Sequence, residues 1–166
     1  GIKFVPGRLA FKAESGGRII FKDATVSLSE LLELKGNVQG SIEFEGRVAV
    51  TGDIRPGARI KARGSIEIDG KGESCTLESS EGNISIQRLD GKGNAAVKCA
   101  GDFRASFLYE SAVESGASIN IEKESVASIL KARKNINAGY MVGGECHATD
   151  LIEIRRAGSP KDVNTL

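Results

Sequence analysis

From Ile60 to Ile68 the chain reads Ile-Lys-Ala-Arg-Gly-Ser-Ile-Glu-Ile. Apolar or small residues stand two apart at 60 and 62 and again at 66 and 68, which is the period of a strand and not of a helix. Arg63, Gly64 and Ser65 between them are a turn in length and composition. The phrase returns as Leu77-x-Ser79 with Ile84-x-Ile86, and as Val97-x-Cys99 with Phe103-x-Ala105. The later copies are Val113-x-Ser115 with Ile119-x-Ile121, Leu130-x-Ala132 with Ile136-x-Ala138, and Cys146-x-Ala148 with Ile152-x-Ile154. The small residue falls at 62, 79, 99, 115, 132 and 148, in steps of 17, 20, 16, 17 and 16. Steps this even make a structural repeat. A half-copy, Val48-x-Val50 after Gly46, places the start of the array no later than residue 46.

Strands of three to five residues cannot stand alone. A third apolar contribution is read in the longer connection of each copy, at Ile54, Leu89, Leu108, Val126 and Val142. Three short faces per period describe a triangular coil, stacked so that each strand pairs with the one a turn later. The fold class is therefore all-β: a single-stranded parallel β-helix, or β-solenoid, of triangular cross-section with about 17 residues per rung. A sandwich of β-hairpins would need longer alternating strands and turn pairs such as Asn-Gly. Composition agrees with the coil. There are 21 Gly but only 6 Phe, 2 Tyr and no Trp in 166 residues, as expected where corners bend tightly and a narrow core takes Ile, Val and Leu more readily than rings.

The outward residue between the apolar and small positions supplies a test of register. It reads Lys61, Glu78, Lys98, Glu114, Lys131, His147, alternating in sign until the last. Neighbours in such a ladder lie about 4.8 Å apart, where opposite signs attract. Residues 1–35 do not follow the repeat and are read as an amino-terminal cap or the tail of a preceding β domain. Within them Arg8–Lys12, Arg18–Phe21 and Thr25–Leu28 alternate like strands. Residues 36–158 form the β-helix, and 159–166 form a carboxy-terminal tail in which Pro160 stops further pairing.

Several chemistries are argued against. Lys and Arg number 23 against 22 Asp and Glu, a net charge of +1, which offers no field for a polyanion, so nucleic-acid binding is not expected. No stretch reaches the length of a membrane span. Cys75, Cys99 and Cys146 all fall on inward positions, and their spacing matches no zinc pattern, so they are read as structural thiols. His147 is the lone histidine and is read as an outward ladder residue. Asp69, Asp90 and Asp102 sit at turns, where Asp bonds local backbone. Gly139–Gly144 is neither a dinucleotide fingerprint nor a phosphate loop. No catalytic, cofactor-binding or metal-binding residue is assigned, no cofactor is expected, and the chain is read as not an enzyme.

The stretch from Val48 to Ile68 resembles the rungs of two bacterial β-helix families, the flagellar assembly protein A family and, more weakly, the carboxy-terminal domain of the septum-site protein MinC. Leu31–Val38 before Gly40–Gly46, and Val142–Ala148 with Ala157–Pro160, favour the first. The resemblance implies a right-handed β-helix in a larger cytoplasmic protein, with roles in polar localisation and flagellar assembly through protein contacts. The chain is accordingly expected to be a non-enzymatic scaffold or interaction module in the cytoplasm, at the cell pole, with polar or flagellar proteins as partners. The alternative is a self-associating module like MinC or a bactofilin polymer, hence a homo-oligomer. The candidate interaction surface is the set of aromatic and apolar residues on the long connections: Phe107, Tyr109, Tyr140 and Met141.

Overall fold

The computed structural model describes residues 30–158 in full and, before them, the backbone of four short strands. Strands β1 (Ile2–Phe4) and β2 (Phe11–Ala13) pair antiparallel, as do β3 (Arg18–Lys22) and β4 (Thr25–Ser29). The strands expected at 18–21 and 25–28 thus form a hairpin, and that expected at 8–12 overlaps β2. Every later pairing is parallel. The chain runs through β5 (Leu31–Leu34), β6 (Ser41–Phe44), β7 (Arg47–Val50), β8 (Arg59–Ala62), β9 (Ile66–Glu73) and β10 (Thr76–Ser79). It then winds through four long bent strands, β11 (Ile84–Cys99), β12 (Phe103–Ser115), β13 (Ile119–Ala132) and β14 (Asn135–Ala148), and ends in β15 (Leu151–Ala157). The proposed tail at 159–166 lies outside the described residues.

Pairing between turns builds three faces. Face A stacks Leu32, Val48, Ile66, Ile84, Phe103, Ile119, Ile136 and Ile152, eight residues in strict register. Face B stacks Ile42, Ile60, Leu77, Val97, Val113, Leu130 and Cys146. Face C stacks Val38, Ile54, Gly72, Leu89, Leu108, Ser125 and Met141. The result is a β-solenoid of about seven turns, roughly 17 residues each, with one continuous core between the faces. The coil begins at β5, which pairs with β7, inside the segment expected to be a cap. The outward ladder is in register throughout, from Glu43 through Lys61, Glu78, Lys98, Glu114 and Lys131 to His147.

Face C corrects two expectations. The inward residues of the late turns are Ser125 and Met141, not Val126 and Val142, which are half-buried on the outer side. For Val142 the cause is the corner between faces A and C; for Val126 it is that a serine, Ser125, takes the inward place beside an apolar neighbour. After inward Ala105, both Ser106 and Phe107 face out before Leu108 turns in, so strict alternation fails by one residue there. The turn through Ile121 carries a further shift between Ile121 and Glu124.

The corners also revise the role of glycine. The residue that turns the chain from face C to face B is left-handed at Ser74, Glu110, Ala127 and Gly143, with φ of 41°, 44°, 47° and 59°. In three of those four turns the residue is not glycine. The requirement at Gly52 and Gly70 is close approach instead. A Cβ on Gly52 would overlap the carbonyl of Gly36, and one on Gly70 would overlap that of Gly52, so stacked turns meet there backbone to backbone. The corner before face A tolerates side chains: Lys134 N–H bonds the Ala117 carbonyl at 2.9 Å and Asp150 N–H bonds that of Lys134 at 3.0 Å. The earlier turns make the same bond, from Gly64 to Gly46 and from Gly101 to Gly82, at 2.9 Å each.

Polar side chains in this frame bond from turn to turn. Ser65 Oγ, Asn83 Oδ1 and Asp102 Oδ1 accept in series from the N–H groups of Asn83, Asp102 and Ser118 at 3.1, 2.8 and 3.0 Å. Asp102 therefore serves the next turn and not its own, which corrects the expectation of a local bond. Buried Ser79 and Ser115 donate to the carbonyls of Gly64 and Gly101 at 2.8 and 2.7 Å.

Candidate protein-interaction surface

The outer side of face C gathers most of the aromatic side chains described on the coil. Its first row runs Lys71, Arg88, Phe107, Glu124, Tyr140, Arg156, each residue paired in register with the next. A second row, two residues on, runs Glu73, Asp90, Tyr109, Val126, Val142. Alternation inside each strand sends both rows outward while Leu108, Ser125 and Met141 between them point into the core.

These side chains form one connected strip. The rings of Phe107 and Tyr109 lie nearly parallel, 10° apart, with centroids 6.5 Å apart. The Arg88 guanidinium sits 4.5 Å from the Tyr109 centroid, and Lys123 Nζ sits 5.2 Å from that of Phe107. Tyr109 donates its hydroxyl hydrogen to Glu124 Oε2 at 2.8 Å. Partial desolvation, followed by that bond to a carboxylate, raises the Tyr109 pKa above its ordinary value. Tyr140 lies one turn beyond Glu124, with Arg156 5.9 Å from its centroid and its hydroxyl on the Gly158 carbonyl at 2.8 Å. All three rings are half-buried. At the edge of the strip a bulge within β11, residues 91–94, shifts the register between Asp90 and Ala95, and its Lys92 pairs with Glu73.

Of the four residues expected to make an interaction surface, Phe107, Tyr109 and Tyr140 lie together on this strip. Met141 does not. It is 1% exposed, with its Sδ 3.3 Å from Cys146 Sγ inside the core. Tyr140 takes the outward place and Met141 the inward one, in register with Ser125. Sequence reasoning also missed Arg88, Lys123, Glu124 and Arg156, whose place beside the rings follows from register alone.

The other chemically interesting residues lie apart from the strip. Cys75 and Cys99 are buried, and desolvation raises each thiol to about 11. Cys146 is half-buried and shifted in the same direction by the same cause. His147 is exposed on face B, 3.7 Å from Glu145. Face A carries a polar trough of about 900 Å³ lined by Ser85, Arg104, Asn120, Asn137 and Glu153 among others. Part of its hydrogen-bonding capacity is already met within it, by Asn137 to Asn120 at 3.0 Å and Ser106 to Glu122 at 2.8 Å. Among the described residues no three His, Cys, Asp or Glu side chains are grouped so as to hold a metal ion.

Residues 30–166 match the family model described as the Flagellar Assembly Protein A beta solenoid domain. The chain belongs to that family. The match begins one residue before β5 and takes in every turn of the coil. No curated protein and no solved structure matches the chain, so the weaker similarity to MinC has no support.

Proposed function

We propose that this solenoid is a non-enzymatic docking scaffold in bacterial flagellar assembly, working in the cytoplasm at the cell pole, and that it receives a partner protein on the aromatic strip of face C. The observation that carries this reading is the Phe107–Tyr109 pair with Arg88, Lys123 and Glu124 around it. Tyr and Arg at the centre of a rigid surface are among the residues most enriched at binding hot spots: Tyr combines large apolar area with few rotatable bonds and a polar tip, and Arg brings a planar guanidinium that stacks on rings and donates in a fixed fork. The in-register sheet beneath holds the strip in shape before a partner arrives, which lowers the entropy lost on binding. Family membership supports the cellular setting. Among the described residues no helix is long and apolar enough to cross a membrane.

The test is replacement of the chromosomal copy by Phe107→Ser with Tyr109→Ser. Both positions are partly exposed, so the fold is expected to survive, as checked by thermal melting of the purified variant. Flagellated cells and swimming should fall together with polar recruitment of a fluorescent fusion. Normal flagellation with the strip removed would sink the proposal.

A further inference from the structure

Face B presents a different surface, and its charge order points to an occupant. The outward column Glu43, Lys61, Glu78, Lys98, Glu114, Lys131 is six charges of strictly alternating sign in register. Only two neighbouring pairs come within ion-pair distance, Lys61–Glu43 at 3.7 Å and Lys98–Glu114 at 3.6 Å, both exposed and long. Glu78 and Lys131 make no ion pair among the described residues. Beside this column runs a second outward row, Thr76, Ala96, Ala112, Ile129. With the charged column it lines a shallow trough of about 440 Å³. Ile129 is 42% exposed although it is a large apolar residue. Ala96 and Ala112 leave the middle of that row low, so the backbone of another flat sheet can approach it there.

An even-numbered alternating column reversed end to end is its own complement. We infer that face B is the interface of a homodimer in which a second copy lies face to face with its rod axis antiparallel. The two-fold axis runs along the strand direction, between the turns of Glu78 and Lys98. Glu78 then meets the partner's Lys98, Lys61 meets the partner's Glu114, and Glu43 meets the partner's Lys131, with the three reciprocal pairs completing six. Thr76 meets the partner's Ala96, and Ala112 meets the partner's Arg59. A parallel copy in register sets Lys against Lys, and an antiparallel copy slipped by one turn does the same. Among two-fold arrangements the charge order thus selects the antiparallel orientation, and this register engages all six charges of each copy where a slip of two turns engages four, as complementary potentials do at other interfaces. Six turns at about 4.8 Å and four residues at about 3.3 Å give a face of roughly 400 Å² per copy, which places the dimer in the weak, salt-sensitive class.

Sedimentation equilibrium of the whole chain, up to about 1 mM because the face is small, reads the association. Wild-type protein should dimerise, more weakly as salt rises. Glu78→Lys alone sets Lys against the partner's Lys98 twice, and Lys98→Glu alone sets Glu against the partner's Glu78 twice. Each variant should associate at least about tenfold more weakly than wild type. Mixed in equal amounts, the two should recover a heterodimer, because every reversed charge then faces its opposite. A folding defect in either variant cannot be repaired by mixing. Ala112→Arg, at an exposed position, provides a second variant that leaves the ladder intact and should abolish the dimer by meeting the partner's Arg59. A monomer throughout the concentration range overturns the proposal. So does dimerisation unaffected by these changes, or mixing that restores nothing.

Discussion

Ser125 stands where its column neighbours are Leu108 and Met141, each 1% exposed or less. Among the described residues its Oγ is the buried side-chain polar atom with no hydrogen-bond partner. The other buried serines show what is missing: Ser111 and Ser128 donate to the carbonyls of Tyr109 and Val126 at 2.7 and 2.9 Å. Ser125→Ala removes one oxygen and the cost of burying it unbonded, about 1–3 kcal/mol, against a few tenths for the lost contacts and weaker strand preference of Ala. The expected outcome is stabilisation by about 1 kcal/mol, which raises the melting temperature by about 2–4 °C in a chain of this size. Urea unfolding followed by far-ultraviolet circular dichroism measures it. Leu108→Ala is the internal control, because it removes a fully buried side chain from the same column and should cost about 2–5 kcal/mol. A Ser125→Ala variant less stable than wild type by 1 kcal/mol or more would refute the reasoning, since it would mean the hydroxyl is bonded.

The ladder and the thiols yield further expectations. Glu78→Lys and Glu114→Lys each place three like charges in succession and should lower the melting temperature more at low salt than at high salt, measured at low protein concentration; equal losses at both would remove the ladder from the stability account. Cys75 and Cys99 have folded-state pKa values raised from 9.0 to about 11. The unfolded chain therefore releases these protons first, so stability is full below pH 9 and falls as pH rises from 9 to 11, by roughly 2–3 kcal/mol for each thiol. Subtracting the pH profile of a Cys75→Ala, Cys99→Ala variant isolates this slope, and an unchanged slope would contradict it.

Faces A and B were legible in the sequence because each inward pair is separated by a turn of nearly constant length, so alternation can be counted without losing phase. Face C was not, because the corner at Ser106–Phe107 places two consecutive residues outside and the turn after Ile121 adds another. Counting through that corner from Ala138 puts Val142 inside and Met141 outside, which is the error the structure corrects; at the turn before, the two shifts cancel, and the inward place goes to Ser125 although its neighbour Val126 is the apolar residue. Phe107, Tyr109 and Tyr140 were legible as surface residues. Their cationic and acidic neighbours were not, because Arg88, Phe107 and Glu124 are 19 and 17 residues apart and meet only once the register of successive turns is known.

Register has the same consequence for function. In a helix or a hairpin a binding motif is local, but here the neighbours of any outer residue lie one turn away on either side. A surface is therefore specified by a column read at intervals of 16–20 residues, and two columns on different faces can be changed independently. On face C the column places cations beside rings and an acid between rings. Its polar groups are already partly engaged within the chain, so a partner gains mainly by covering aromatic area. On face B the column alternates without repetition of sign and keeps Glu78 and Lys131 free of ion pairs among the described residues, so its capacity for charge pairing is open to a second alternating column. The two faces thus favour different occupants on physical grounds, a ring-covering protein on one and a reversed copy on the other. Because they lie on separate sides of one rod, occupation of one leaves the other accessible.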